Sequence, residues 1–288
     1  MKLSTKNARD GYLLVVPITL GCLLFYVLPF ALVLRYSVTQ GVGASQHFVG
    51  ADNYVSIWSN EMFRLAFGNT MRFLLVGLSL ILVVSYAIAL LLKNQARKHR
   101  LLKSVLLFPY IMPVVGVVLV VDLVCGEVGL LNKALLAIDV PVTDWLNSPA
   151  SFWVVIALYI WKNAGYSVIL LLSGLAMIPE DQYAAAQIDG TSGFQQFWYI
   201  TVSQMWYAVF FTMVFSLINA FKCFREIFLI GGSHPNENIY MLQHFINNCF
   251  ENLSYPKLAV ASVLLLIVVT AVFALMYFWV NRKEQFRS

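Results

Sequence analysis

Six long apolar runs punctuate this chain, at about 12–34, 70–92, 104–124, 152–177, 204–224 and 258–280. An α-helix rises 1.5 Å per residue, so about 20 residues cross the ~30 Å hydrocarbon layer of a bilayer. Each run is long enough, or nearly so. Lipid offers no partner for backbone N–H and C=O groups, so runs of this kind must be helices. Of the 288 residues, 60% are hydrophobic and only 11% charged, too apolar a surface for a soluble core to hide. The sequence therefore predicts an all-α, polytopic membrane protein with six transmembrane helices. It divides into residues 1–69 (tail, first span, outer loop) and a five-helix body, 70–288.

Basic residues set the expected orientation. Segment 93–103 carries Lys93, Arg97, Lys98, Arg100 and Lys103; the N-terminus adds Lys2, Lys6 and Arg9, and the C-terminal tail adds Arg282, Lys283 and Arg287. With six spans these segments share one side, which places both termini in the cytoplasm. The excess of 19 Lys and Arg over 14 Asp and Glu then reports topology rather than nucleic-acid binding. The N-terminus imitates a signal peptide, but the run 12–34 is too long for one and no small-residue cleavage site follows. It reads as an uncleaved first span.

The four cysteines, at 22, 125, 223 and 249, form no C-x-x-C pair, so a zinc or dithiol site has no support. Cys125 and Cys249 both fall in outer loops, which leaves a bridge between them open. Cys22 reads as a small core residue. In the first outer loop, Asp52 is placed to cap a short helix bearing Tyr54, Ile57 and Trp58.

The inner loop 178–203 departs from this pattern. It has no Lys or Arg, and it carries Glu180, Asp181 and Asp189. At roughly 26 residues it is longer than a turn between helices requires. Pro179 suits the start of a helix, and Glu180 and Asp181 complement its positive end. Ala184, Ala185 and Ala186 favour helix, and Gly190 suits the left-handed residue that ends one. Ser192 and Gln195 fit a capping box opening a second helix toward span five. Tyr183 is the only large side chain before Ile188. Read locally, the loop is either a plain connector or a smooth face for another surface to approach.

The order IPEDQYAAAQIDGTSGFQQFWYIT, Ile178 to Thr201, resembles the EAA loop of binding-protein-dependent ABC importers, I-P-x-x-x-x-E-A-A-x-x-D-G-A followed by an aromatic-rich helix. FVGADNY at 48–54, GNTMRF at 68–73 and LIGGSHP at 229–235 are similar to segments of sugar-importer permeases of the maltose type. Ala184 stands where the motif has Glu, and Ser203 and Tyr207 stand where it has prolines, which implies a straighter start to span five.

The resemblance implies the type I importer permease fold in a bacterial cytoplasmic membrane, surrounded by lipid. It implies a second permease subunit (favouring a heterodimer), two ATPase subunits, an extracellular solute-binding protein and a sugar substrate. Glu180, Tyr183, Ala184, Ala185, Ala186, Asp189 and Gly190 would form the ATPase-coupling loop. ATP and Mg2+ would be held by the partner ATPase, with no cofactor, metal or catalytic residue in this chain. The sequence has no G-x-x-x-x-G-K-[ST] and no Gly-Lys pair, so no P-loop is available to cradle phosphates.

Lys162 is the charge deepest in a run. A mid-helix lysine costs about 2.5–3.5 kcal/mol on insertion scales. It either snorkels or pairs with an outer acid, or it lines a solute path with Asn163, Tyr166 and Asn219. Amide and aromatic groups suit sugars, and Asn219 equally suits a tie between helices. Lys222, Arg225 and Glu226 cluster at the outer end of span five, either to hold a binding protein or to mark the interface. The rival class, a stand-alone secondary transporter of a small solute, calls for paired intramembrane acids or a proton relay.

Overall fold

The computed structural model describes residues 5–41, 45–93 and 100–285. Lys2, Arg97, Lys98 and Arg287, on which part of the orientation reading rests, lie outside them. Among the described residues, six helical stretches are long and apolar enough to span a membrane: Gly11–Ser37, Glu61–Leu92, Val114–Leu136, Ser151–Ala176, Trp206–Gly231 and Tyr255–Val280.

The first span combines α1 (Thr5–Cys22), a π turn (Leu23–Val27) and α2 (Leu28–Ser37). Pro29 has no N–H and its ring crowds the preceding turn; the wider π turn just before it absorbs the misfit. Nearly all side chains of this span are exposed, Cys22 among them, so Cys22 is not a core residue of this chain. Strands β1 (Thr39–Gln40) and β2 (His47–Phe48) form a short antiparallel pair.

Helix α3 (Asp52–Trp58) follows, with Asp52 as its first residue and Ala51 at the cap; no side chain caps it, contrary to expectation. What fixes α3 is Asn53, whose amide donates to the Ser37 and Thr39 carbonyls at 3.1 and 3.0 Å, and Tyr54, whose hydroxyl donates to Ser37 Oγ at 2.9 Å.

Helix α4 (Glu61–Leu92) starts nine residues before the apolar run at 70, because Asn60 Oδ1 caps the Phe63 N–H at 3.0 Å and buried Phe63 and Ala66 extend the packed face. The run 104–124 is not one helix. It is α5 (Arg100–Ile111) and α6 (Val114–Cys125), interrupted at extended Pro113 (φ −58°, ψ 147°). Proline cannot donate and disfavours helix in the residue before it. The stretch 125–151, read as loop, contains α7 (Leu130–Leu136).

Helix α8 (Ser151–Ala176) is followed by α9 (Glu180–Ile188), the four-residue α10 (Gly193–Gln196), a π turn (Phe197–Val202) and α11 (Trp206–Lys222). Span five thus begins with a π turn and a break at Met205, although it lacks the two prolines. Helices α12 (Phe224–Gly231), α13 (Leu242–Glu251) and α14 (Tyr255–Gln285) complete the chain, the first two within the stretch read as an outer loop.

Two compact units result: Met1–Arg64 with Phe245–Val268, and Leu65–His244 with Val269–Ser288. In the first, the Phe63 ring meets those of Trp58 and Phe245 edge-on, each at 5.4 Å, and Tyr36 stacks on Tyr255.

The second unit is organised by α8, the most buried span. A Cβ at Gly165 would sit 1.7 Å from the Leu106 carbonyl oxygen, so only glycine lets α5 and α8 approach this closely. The Tyr159 hydroxyl donates to the Ser216 carbonyl at 2.7 Å and ties α8 to α11. Asn69 donates to the Tyr240 carbonyl at 2.9 Å, and Thr70 Oγ1 accepts the Leu242 N–H at 2.9 Å. The Gly-Asn-Thr segment thereby satisfies a non-helical backbone that a membrane protein cannot leave unpaired. Cys125 and Cys249 are both free thiols, so no bridge joins them.

Candidate functional site

The loop 178–203 is held at its start by Ile178, buried in a cluster with Val168, Leu171, Leu175 and Met205. Pro179 is the extended residue before α9, and Glu180 and Asp181 occupy its first turn. At the other end Gly190 adopts φ +74°. Its N–H reaches the Gln187 carbonyl at 3.1 Å and the Thr191 N–H reaches the Ala186 carbonyl at 3.0 Å. That pair of bonds is the Schellman arrangement, which satisfies carbonyls that helix ends otherwise leave open. Ser192 and Gln195 form the reciprocal capping box, at 3.3 and 2.8 Å. Every hydrogen bond that defines helix–Gly–helix is local, which is why the sequence showed it.

The two faces of α9 differ. Ala184, Ala185, Ile188, Asp189 and Gly190 are exposed, Ile188 at 88%. Ala186 is half-buried, as is Tyr183, which turns back onto its own chain. The Tyr183 hydroxyl lies 2.8 Å from Thr201 Oγ1, and Lys93 Nζ stands 3.8 Å from the centre of its ring. Gln204 also donates to Gln182 Oε1. Tyr183 therefore belongs to the tether that holds α9 to the foot of span five and the end of α4. The outward face is small and smooth, broken by one apolar knob, Ile188.

Within the membrane, Lys162 on α8 pairs with Glu226 on α12. Glu226 is 3% exposed, so its carboxylate is sequestered from bulk water, while Lys162 is half-buried. Beside it lies a cavity of about 210 Å3 lined by Tyr110, Lys162, Asn163, Asn219, Lys222 and Glu226, among others. Three of the four residues expected on a solute path are therefore together. Asn163 donates to the Tyr159 carbonyl at 2.8 Å. Tyr166 stands outside the lining: its ring stacks on Tyr110 at 4.9 Å and meets Phe215 edge-on. Of the outer cluster, Glu226 turns inward to Lys162 and Lys222 lines the cavity, while Arg225 is exposed. The sequence does carry a signal for this pairing, one acid near the end of span five and one lysine inside span four, but not their proximity.

Six apolar helices, a polar cavity among them and an exposed helix–Gly–helix loop between two of them define a multi-pass membrane component of a transport system. The chain belongs to the family of binding-protein-dependent transport system inner membrane components, which matches residues 81–285. It is 28% identical over 285 residues to the trehalose/maltose transport system permease protein MalF of Thermococcus litoralis, covering 98% of this chain and 96% of that protein. It is 28% identical over 281 residues to the sn-glycerol-3-phosphate transport system permease protein UgpA of Yersinia pestis, covering 96% and 95%. Its fold is similar to a chain of a bacterial ABC transporter that imports the acidic polysaccharide alginate, with a TM-score of 0.81, 19% identity and 96% of each chain covered.

Proposed function

We propose that this chain is the permease subunit of an ATP-driven importer that receives a carbohydrate from an extracellular binding protein and passes it inward by alternating access. The exposed alanine face of α9, held from behind by Tyr183, carries this reading. A helix tethered on one side and bare on the other is suited to receive force from a docked partner and pass it to span five. The partner is a pair of ATPase subunits, which would hold ATP and Mg2+; a second, different permease subunit completes the pathway. The loop and both termini face the cytoplasm in this reading, supported by the basic residues Lys93, at the end of span two, and Lys103, in α5.

Coupling requires the ATPase pair to bind the inward- and outward-facing permease with different free energies. The carbohydrate class is supported by the similarity to the trehalose/maltose permease and by a cavity lined with amides, phenols and charged donors.

Affinity purification of the tagged chain from its native membrane tests the proposal. The reading expects a second permease and an ATPase to copurify, with uptake requiring the binding protein. A chain that purifies alone and transports solute when reconstituted alone would instead be a secondary transporter.

A further inference from the structure

We propose that the cavity beside the Lys162–Glu226 pair receives an acidic group, a carboxylate or a phosphate, of the transported carbohydrate, with Lys162 and Lys222 as its ligands. The inference rests on the carbohydrate reading above and adds the charge of the substrate.

Three observations carry it. Lys162 and Glu226 both line the cavity, the side chain of Lys162 at 16% exposure and that of Glu226 at 4%. An ammonium has three donors; among the described residues Glu226 Oε1 is the only acceptor that Lys162 reaches. Lys222 lines the same cavity, and no acid pairs with it among the described residues. The described lining therefore presents two ammonium groups against one carboxylate. Lys222 is exposed, so water meets its charge until a solute displaces it; an acidic group then offers both ammonium groups an opposite charge, which a neutral hydroxyl does not. The Asn163 amide donor, which could serve a neutral hydroxyl, is directed to the Tyr159 carbonyl. At about 210 Å3 the cavity is below the roughly 300–1,000 Å3 typical of drug-sized sites, so it suits one ring or head group.

Equilibrium binding to the whole purified importer, without its binding protein, tests this with four probes: glucuronate against glucose, and sn-glycerol 3-phosphate against glycerol. The proposal expects at least one acidic probe to bind about tenfold or more tightly than its neutral counterpart. The preference should be lost in Lys222→Gln and restored in Lys222→Arg, and which acidic probe wins distinguishes carboxylate from phosphate. Equal binding of acidic and neutral probes would overturn the acidic-group proposal and leave the carbohydrate reading standing. An acidic preference that survives in Lys222→Gln belongs elsewhere in the assembly and also overturns it. No binding of any probe removes the cavity as a carbohydrate site.

Discussion

The hydroxyl of Tyr183 sits 2.8 Å from Thr201 Oγ1, joining the middle of α9 to the π turn at the foot of span five. Lys93 stands over the same ring, so the exposed helix is tied both to span five and to the end of α4. Tyr183→Phe removes one hydrogen bond, worth about 1 kcal/mol. Tyr183→Ala also removes the ring that Lys93 covers, a further contribution of about 0.5–1 kcal/mol. Solute moved per ATP hydrolysed in proteoliposomes should fall several-fold in Tyr183→Ala and less in Tyr183→Phe, with hydrolysis largely retained.

The Lys162–Glu226 pair makes an asymmetric prediction. Removing one partner leaves a buried charge and costs about 3–5 kcal/mol, whereas replacing both with apolar residues is often close to neutral. Lys162→Met should therefore lower the thermal midpoint of the purified assembly sharply. Adding Glu226→Met should recover most of the loss. If the double variant is no more stable than the single one, the pair does not stabilise the fold in this way.

Gly165 is predicted to be intolerant of substitution. A methyl group there meets the Leu106 carbonyl oxygen, which is backbone and cannot rotate aside. Gly165→Ala should separate α5 from α8 and lower folded yield in membranes. The same change at Gly68, where a Cβ meets nothing within 4 Å, should be tolerated.

His244 gives the chain a pH dependence outside the spans. Its ring is buried against Phe224, with centroids 4.8 Å apart, and its Nδ1 accepts the Met241 N–H at 3.1 Å. Burial, with a smaller contribution from His234, pushes its pKa down from 6.5 to about 4. The folded chain thus resists a proton that the unfolded chain accepts. Stability is full above pH ~6.5, declines as the pH falls toward 4 and changes no further below that. Between pH 6.5 and 5 the loss is about 1.5 kcal/mol. The thermal midpoint should fall over that interval in the native protein, and fall less in His244→Gln.

The features legible in the sequence are those set by neighbours in the chain. Hydropathy gave away the spans, and the Gly190 turn and the Ser192–Gln195 box were readable because both partners lie within a few residues. The break at Pro113 was present in the sequence but hidden by the unbroken apolar run around it. The π turn at Phe197–Val202 has no residue marker, and the missing prolines gave no hint of it. The pairing of Lys162 with Glu226 and the inward turn of Tyr183 depend on how distant helices pack. No local pattern encodes them; for Tyr183 the motif alone pointed outward, toward a partner.

The most direct measurement is cross-linking from the exposed face of α9. A cysteine at Ala185 or Gly190 is compatible with the chain's own fold, since Ala185 is exposed and a Cβ at Gly190 meets nothing within 4 Å. Only the left-handed backbone at Gly190 adds strain, about 1–2 kcal/mol. With a short bifunctional reagent in native membranes, both positions should give an adduct with an ATP-hydrolysing subunit, and its yield should change when nucleotide is trapped. A chain that transports solute while neither position ever joins an ATPase would contradict the account.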